Sequence, residues 1–137
     1  MRPAILDTNV YIDHWERRLD SASFAELRRK YVIRQSAVVL SELVRGARTR
    51  QAEGMVESLR RMCRVIWEPN AMDWWTAGQL IRKIGDAHDW DISKRRGFQN
   101  DVLIALTARR YGATLVTSNR RDFELLRAEL AIDLFVL

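Results

Sequence analysis

A chain of 137 residues with 47% apolar side chains is long enough to bury one real core and too short for two ordinary domains. Its single cysteine, Cys63, excludes an internal disulfide, and with only His14 and His88 beside it there is no zinc set, so any metal would be held by oxygen. The formal charge of +5 rests on 23 basic residues, 20 of them Arg, whose planar donor fork suits phosphate, and no apolar run approaches the roughly 18–20 residues of a membrane span. These bounds predict one domain over residues 1–137, without a membrane segment, in a reducing cytoplasm, with a mild lean toward a nucleic-acid partner.

Residues 3–6 read as a strand, and Val10 to Arg18 and Phe24 to Tyr31 as helices. A second extended run covers Tyr31 to Val38, and a helix with apolar positions 39, 40, 43, 44 and 47 covers Val39 to Arg48. Gln51 to Met62 is amphipathic, "RVIWEP" (64–69) is a strand stopped by Pro69, and Met72 to Ile84 is again helical. The polar stretch "GDAHDWDISKRRG" (85–97) is the longest predicted loop, with His88 in it. Phe98 to Tyr111 follows as a helix apolar nearly all round. "ATLVTS" is a strand, Asp122 to Leu130 a helix and "LFVL" a last strand. Strands alternating with helices predict parallel pairing with helices on both faces, a three-layer α/β/α sandwich.

In such sheets working groups collect beyond the carboxyl ends of the strands, and Asp7 falls there, at the end of the run Ala4-Ile5-Leu6. On its own Asp7 reads better as a helix cap. Glu42, in "SELVRGA", reads alone as a surface acid paired with Arg45. Asp101, in "QNDVLIALTA", reads as a first-turn acid favoured by the helix dipole, although so apolar a neighbourhood would bury it at a cost without a cation. Asp122, in "TSNRRDF", reads as another cap. All four fall at comparable strand-to-helix or helix-start positions, which is less easily dismissed than any one of them.

Together "ILDTNV", "SELVRGA", "NDVLIALTA" and "LVTSNRRDF", in that order across the whole chain, resemble a PIN domain of the VapC toxin type. The resemblance implies a parallel α/β/α fold and metal-dependent endoribonuclease activity with Mg²⁺ or Mn²⁺. Asp7, Glu42 and Asp101 match the acidic triad, Asp122 supplies a fourth acid, and Thr117 and Asn119 are supporting ligands. It also implies a homodimer and a cognate VapB-like antitoxin, both expected to engage the segment from Ser21 to Arg61. Carboxylates and a substrate phosphate suffice for such ions, which keep several waters and activate one of them.

Six Arg-Arg pairs punctuate the sequence, most of them consistent with solvated helix faces. Lys94, Arg95 and Arg96, with Arg120 and Arg121, adjoin two of the acidic motifs and are the candidates for holding RNA phosphates. Adjacent Trp74 and Trp75 cannot both face one core, so one is expected inside and the other at an interface, with an ordinary amphipathic surface Trp as the alternative. Two other readings remain: a catalytically silent PIN-like module that binds RNA or protein, and a DNA nuclease.

Overall fold

Every backbone group of a strand buried on both faces must find its partner within the sheet, and the apolar run Ala4-Ile5-Leu6 does so from both sides. In the computed structural model, which describes residues 1–137, this run forms most of β1 (Arg2–Leu6). It pairs in parallel with β2 (Tyr31–Ser36) on one side and β4 (Thr114–Thr117) on the other. Two further parallel strands, β3 (Ile66–Trp67) beside β2 and β5 (Asp133–Val136) beside β4, complete the order β3-β2-β1-β4-β5. The all-parallel sheet flanked by helices is the expected one.

Each crossover is helical. The connections are α1 (Thr8–Trp15) and α2 (Ser21–Lys30), α3 (Ala37–Gly46) and α4 (Arg50–Arg61), α5 (Ala71–Ala87) and α6 (Ile92–Arg110), and α7 (Arg120–Glu129). The chain first builds outward from β1 through β2 to β3, then returns to β4 on the opposite side. β1 and β4 therefore flank the point where the winding reverses, the place where parallel sheets open a crevice. Ile5, Leu6, Leu115 and Val116 are essentially inaccessible and pack with Val10, Val39, Phe98, Phe123 and Leu126 from the helices. Residues Val102 to Ala108 of α6 are buried without interruption, as their all-round apolar character requires.

The predicted loop over 85–97 is an error, since α5 runs to Ala87, α6 begins at Ile92 and only four residues separate them. Asp91 caps α6 by accepting the Lys94 N–H at 2.8 Å, and Asp89 makes the turn with a φ of 53°, a left-handed conformation that Asp tolerates better than most residues. The polar composition belongs to the solvent faces of two helix ends. Arg95 closes the corner, donating Nε to the Trp90 carbonyl at 2.9 Å and pairing with Asp86 at 3.0 Å. Its guanidinium lies so close to Gly85 that a Cβ there would stand 2.8 Å from the guanidinium carbon.

Both tryptophans of the adjacent pair are exposed, Trp74 by 51% and Trp75 by 65%, so neither is packed inside. The inward stripe of α5 passes instead through Asp73, Ala77 and Ile84, at helical spacing. Asp73 faces inward because Arg110, at the end of α6, grips both its oxygens at 2.9 Å. Asp73 also takes part in a capping box with Asn70.

Candidate active site

Asp7 is the residue immediately after β1, and its position follows from the ladder. Its N–H donates to the Val116 carbonyl at 2.8 Å, extending the sheet by one bond before the chain turns into α1. The side chain caps α1 as expected, accepting the Thr8 N–H on Oδ1 at 2.8 Å. It does more than cap. Oδ2 accepts the Thr117 hydroxyl, also at 2.8 Å, from the end of the neighbouring strand β4. The carboxyl is only 3% exposed. Burial pushes its pKa up to about 6, against the pull of those two hydrogen bonds, and the Glu42 charge adds to the rise.

Glu42 lies in the interior of α3 rather than at its start, and no ion pair joins it to Arg45. Its Oε1 accepts the Thr8 hydroxyl at 2.8 Å, which ties α3 to the first turn of α1. Asp101 is likewise interior, in the middle of α6, because that helix begins earlier than its apolar face does. A helix-dipole role is thereby removed. No donor in the protein hydrogen-bonds to its carboxyl. Burial, then the charges of Asp7, Asp122 and Glu42, push its pKa up to about 8, with Lys94 opposing. The other three acids therefore all lie close enough to act on Asp101.

Asp122 lies in the first turn of α7, whose cap is Asn119 and not Asp122. The two side chains are reciprocally bonded. The Asp122 N–H donates to Asn119 Oδ1 at 3.3 Å, and Asn119 Nδ2 donates to Asp122 Oδ2 at 3.2 Å. Thr117 completes the link by accepting the Asn119 N–H on its hydroxyl at 3.0 Å. One chain of contacts therefore runs from Asp122 through Asn119 and Thr117 to Asp7, and from Thr8 to Glu42. Thr8 is not among the expected site residues, yet its hydroxyl and N–H reach Glu42 and Asp7.

The basic residues divide. Lys94 reaches Asp122, Arg95 is committed to Trp90 and Asp86, and Arg120 stands 3.9 Å from Glu124 with its side chain 70% exposed. Arg96 and Arg121 are exposed without a side-chain partner.

The donor chemistry fits a hard divalent cation: the donors are all oxygen, they carry up to four negative charges, and Asp101 has its oxygens free of protein donors. No three of the acids converge to ligating distance. A cavity of about 1150 Å³ lies elsewhere, between α1, α2, α4 and the β2–β3 edge. Tyr11, Trp15, Phe24, Tyr31 and Trp67 give it an aromatic lining, Arg28 and Arg34 add charge, and none of the four acids borders it.

Among curated proteins none matches the sequence. Solved structures match over nearly the whole chain. The structure of VapBC-1 from nontypeable Haemophilus influenzae has a TM-score of 0.71 at 22% identity, covering 98% of this chain and 97% of that one. VapBC2 from Rickettsia felis, bound to a promoter DNA fragment, gives 0.67 at 23%, with 98% of each chain covered. VapBC-5 from Mycobacterium tuberculosis gives 0.61 at 20%, with 100% of each covered. At these identities the likeness is one of fold. The profile of the PIN domain family matches residues 4–129, a span that includes all four acids, and the chain therefore belongs to the PIN domain family.

Proposed function

We propose that residues 1–137 act as one nuclease domain, a metal-dependent endoribonuclease that serves as the toxin of a cytoplasmic toxin–antitoxin pair. The observation that supports this reading is the burial of Asp101 near Asp7, Glu42 and Asp122, whose charges hold its carboxyl high while no protein donor offsets them. Asp7, Glu42 and Asp122 each have a protein partner, but Asp101 has no donor to offset its burial, which is costly without a cation. Asp7 and Asp101 would hold a Mg²⁺ or Mn²⁺ ion, with Glu42 and Asp122 completing the acidic set. When bound, such an ion acidifies water and stabilises charge on phosphoryl oxygens. The chain's own residues supply orientation. Thr117 and the Thr8 N–H fix both oxygens of Asp7, and the Thr8 hydroxyl fixes Glu42, which aligns the attacking water and accepts its proton. Asn119 and Thr117 act as supports. Lys94 and exposed Arg96, Arg120 and Arg121 hold the RNA backbone, whose charge favours them over any single base.

The toxin part of the proposal draws on the VapBC complexes that the fold resembles. A VapB-like antitoxin segment with apolar anchors and acidic flanks would suit the aromatic, Arg-bearing cavity beside α1, α2 and α4. That cavity overlaps the segment from Ser21 to Arg61 expected to serve the antitoxin and a homodimer. The test is cleavage of RNA and of single-stranded DNA by the purified protein, in chelator and in Mg²⁺ or Mn²⁺. RNA should be cut only with metal, and Asp7→Asn and Asp101→Asn should be inactive but folded. Cleavage that persists in chelator, or in either variant, would sink the assignment, and preference for DNA would replace the substrate.

A further inference from the structure

Lys94 is the one cation inside the acidic group, and its place there is built. Its Nζ stands 3.2 Å from both Oδ1 and Oδ2 of Asp122. The same ammonium lies 4.9 Å from the centroid of the Trp90 ring and 5.8 Å from that of Phe98, so two aromatic faces hold the charge that Asp122 receives. Lys94, Phe98 and Asp101 follow one another at helical spacing along one face of α6, and Phe98 is buried between the two polar residues. The Lys94 side chain remains 43% exposed, so its place is set by these aromatic faces and by Asp122 and not by burial. Asp122 is left with little to offer another cation, because Lys94 engages both its oxygens and Asn119 Nδ2 donates to Oδ2 as well. Asp101, by contrast, receives no donor.

We propose that Lys94 is a resident cation that takes the place of a second divalent ion, so that the site binds one ion, on the Asp7–Asp101 side, and Lys94 neutralises Asp122. This rests on the nuclease reading above and adds to it a division of labour. An ammonium carries one charge and three donors and holds no ligand shell. It can balance Asp122 and donate to a phosphoryl oxygen of the substrate, but water activation stays with the single ion. Two divalent ions near four carboxylates would also repel each other more strongly than one ion and one ammonium.

The test is calorimetric titration of the chelator-treated protein with Mn²⁺. The wild type and Lys94→Arg, which keeps the charge, should each bind one ion per chain. Lys94→Met, which keeps the apolar stem against Trp90 and Phe98 and removes the charge, should bind two. Adding Asp122→Asn to Lys94→Met should return the count to one, assigning the gained ion to Asp122. Two ions on the wild type, or one on Lys94→Met with an unaltered far-ultraviolet spectrum, would overturn the proposal. RNA cleavage by the wild type in Mn²⁺ separates the two readings. A cleaving enzyme whose Lys94→Met variant gains no ion loses only this inference, whereas a protein that neither binds Mn²⁺ nor cleaves RNA loses both.

Discussion

Replacing Asp101 with Asn in the metal-free protein should stabilise it, and the size of the gain can be worked from the site. Burial and three neighbouring acids hold the carboxyl at about 8 against an ordinary 3.8. A pKa raised by folding means that the native state binds more protons than the unfolded chain, so stability is full below about pH 4 and is lost as pH rises toward 8. At pH 7 about 3 pH units separate the medium from the unfolded pKa, and at 1.36 kcal/mol per unit the carboxyl costs the fold up to about 4 kcal/mol. Water reaching the half-buried group roughly halves this. Asn carries no charge, fills nearly the same space and breaks no hydrogen bond, so the variant should gain about 2 kcal/mol at pH 7, a rise in Tm of roughly 7 °C for 137 residues. Urea unfolding in chelator between pH 4.5 and 8 measures it. The gain should grow with pH and vanish near pH 4. A gain near zero at every pH would show Asp101 to be a solvated surface acid.

Mn²⁺ should raise the Tm of the wild type in proportion to its occupancy and raise that of Asp101→Asn much less, since a ligand stabilises only the state that binds it; equal shifts in thermal melts would remove Asp101 from the site. Thr117→Val, which deprives Asp7 and the Asn119 N–H of their shared partner, should cost about 1–2 kcal/mol in urea unfolding and weaken Mn²⁺ binding in calorimetry. Asp73→Ala, which removes the capping box and the partner of solvent-exposed Arg110, should cost about 1 kcal/mol while leaving Mn²⁺ affinity unchanged, because its role is to join α5 to α6. Combined Arg96→Ala, Arg120→Ala and Arg121→Ala should flatten the salt dependence of RNA binding by roughly 0.7 per lost phosphate contact, measured by fluorescence anisotropy from 50 to 200 mM salt.

Much of this architecture is legible in the sequence, because a parallel sheet buries its strands on both faces and short uniform apolar runs such as Ala4-Ile5-Leu6 and Thr114 to Thr117 have few other homes. Acids beyond the first and fourth strands are legible for the same reason. What fails is any inference that depends on where a polar residue points. Asp86, Ser93 and Arg96 lie on the outer faces of α5 and α6, and polarity alone cannot distinguish a solvated helix face from a loop. That error moved the start of α6 to Phe98 and turned an interior acid, Asp101, into a terminal one. Lys94 and Asp122 are 28 positions apart and Thr8 and Glu42 are 34 apart, so neither contact has a local signature. The pair of buried Asp73 and exposed Arg110, separated by 37 positions, is hidden in the same way, and the inward turn of Asp73 explains why Trp74 and Trp75 face outward together.

The position of β1 between β2 and β4 has a consequence for the order of events during synthesis. Asp7 meets Thr117 across 110 positions, and until β4 has been made the opening strand is covered on one side only. A nascent chain that stops before Thr114 already contains Asp7, Glu42 and Asp101, yet it lacks the sheet edge against which Asp7 is fixed and the turn that carries Asn119 and Asp122. Loop closure over such a span is among the last steps that a chain emerging from its N-terminus can complete. Truncated products would therefore carry the acids without the strand and turn that hold Asp7, Asn119 and Asp122 in place.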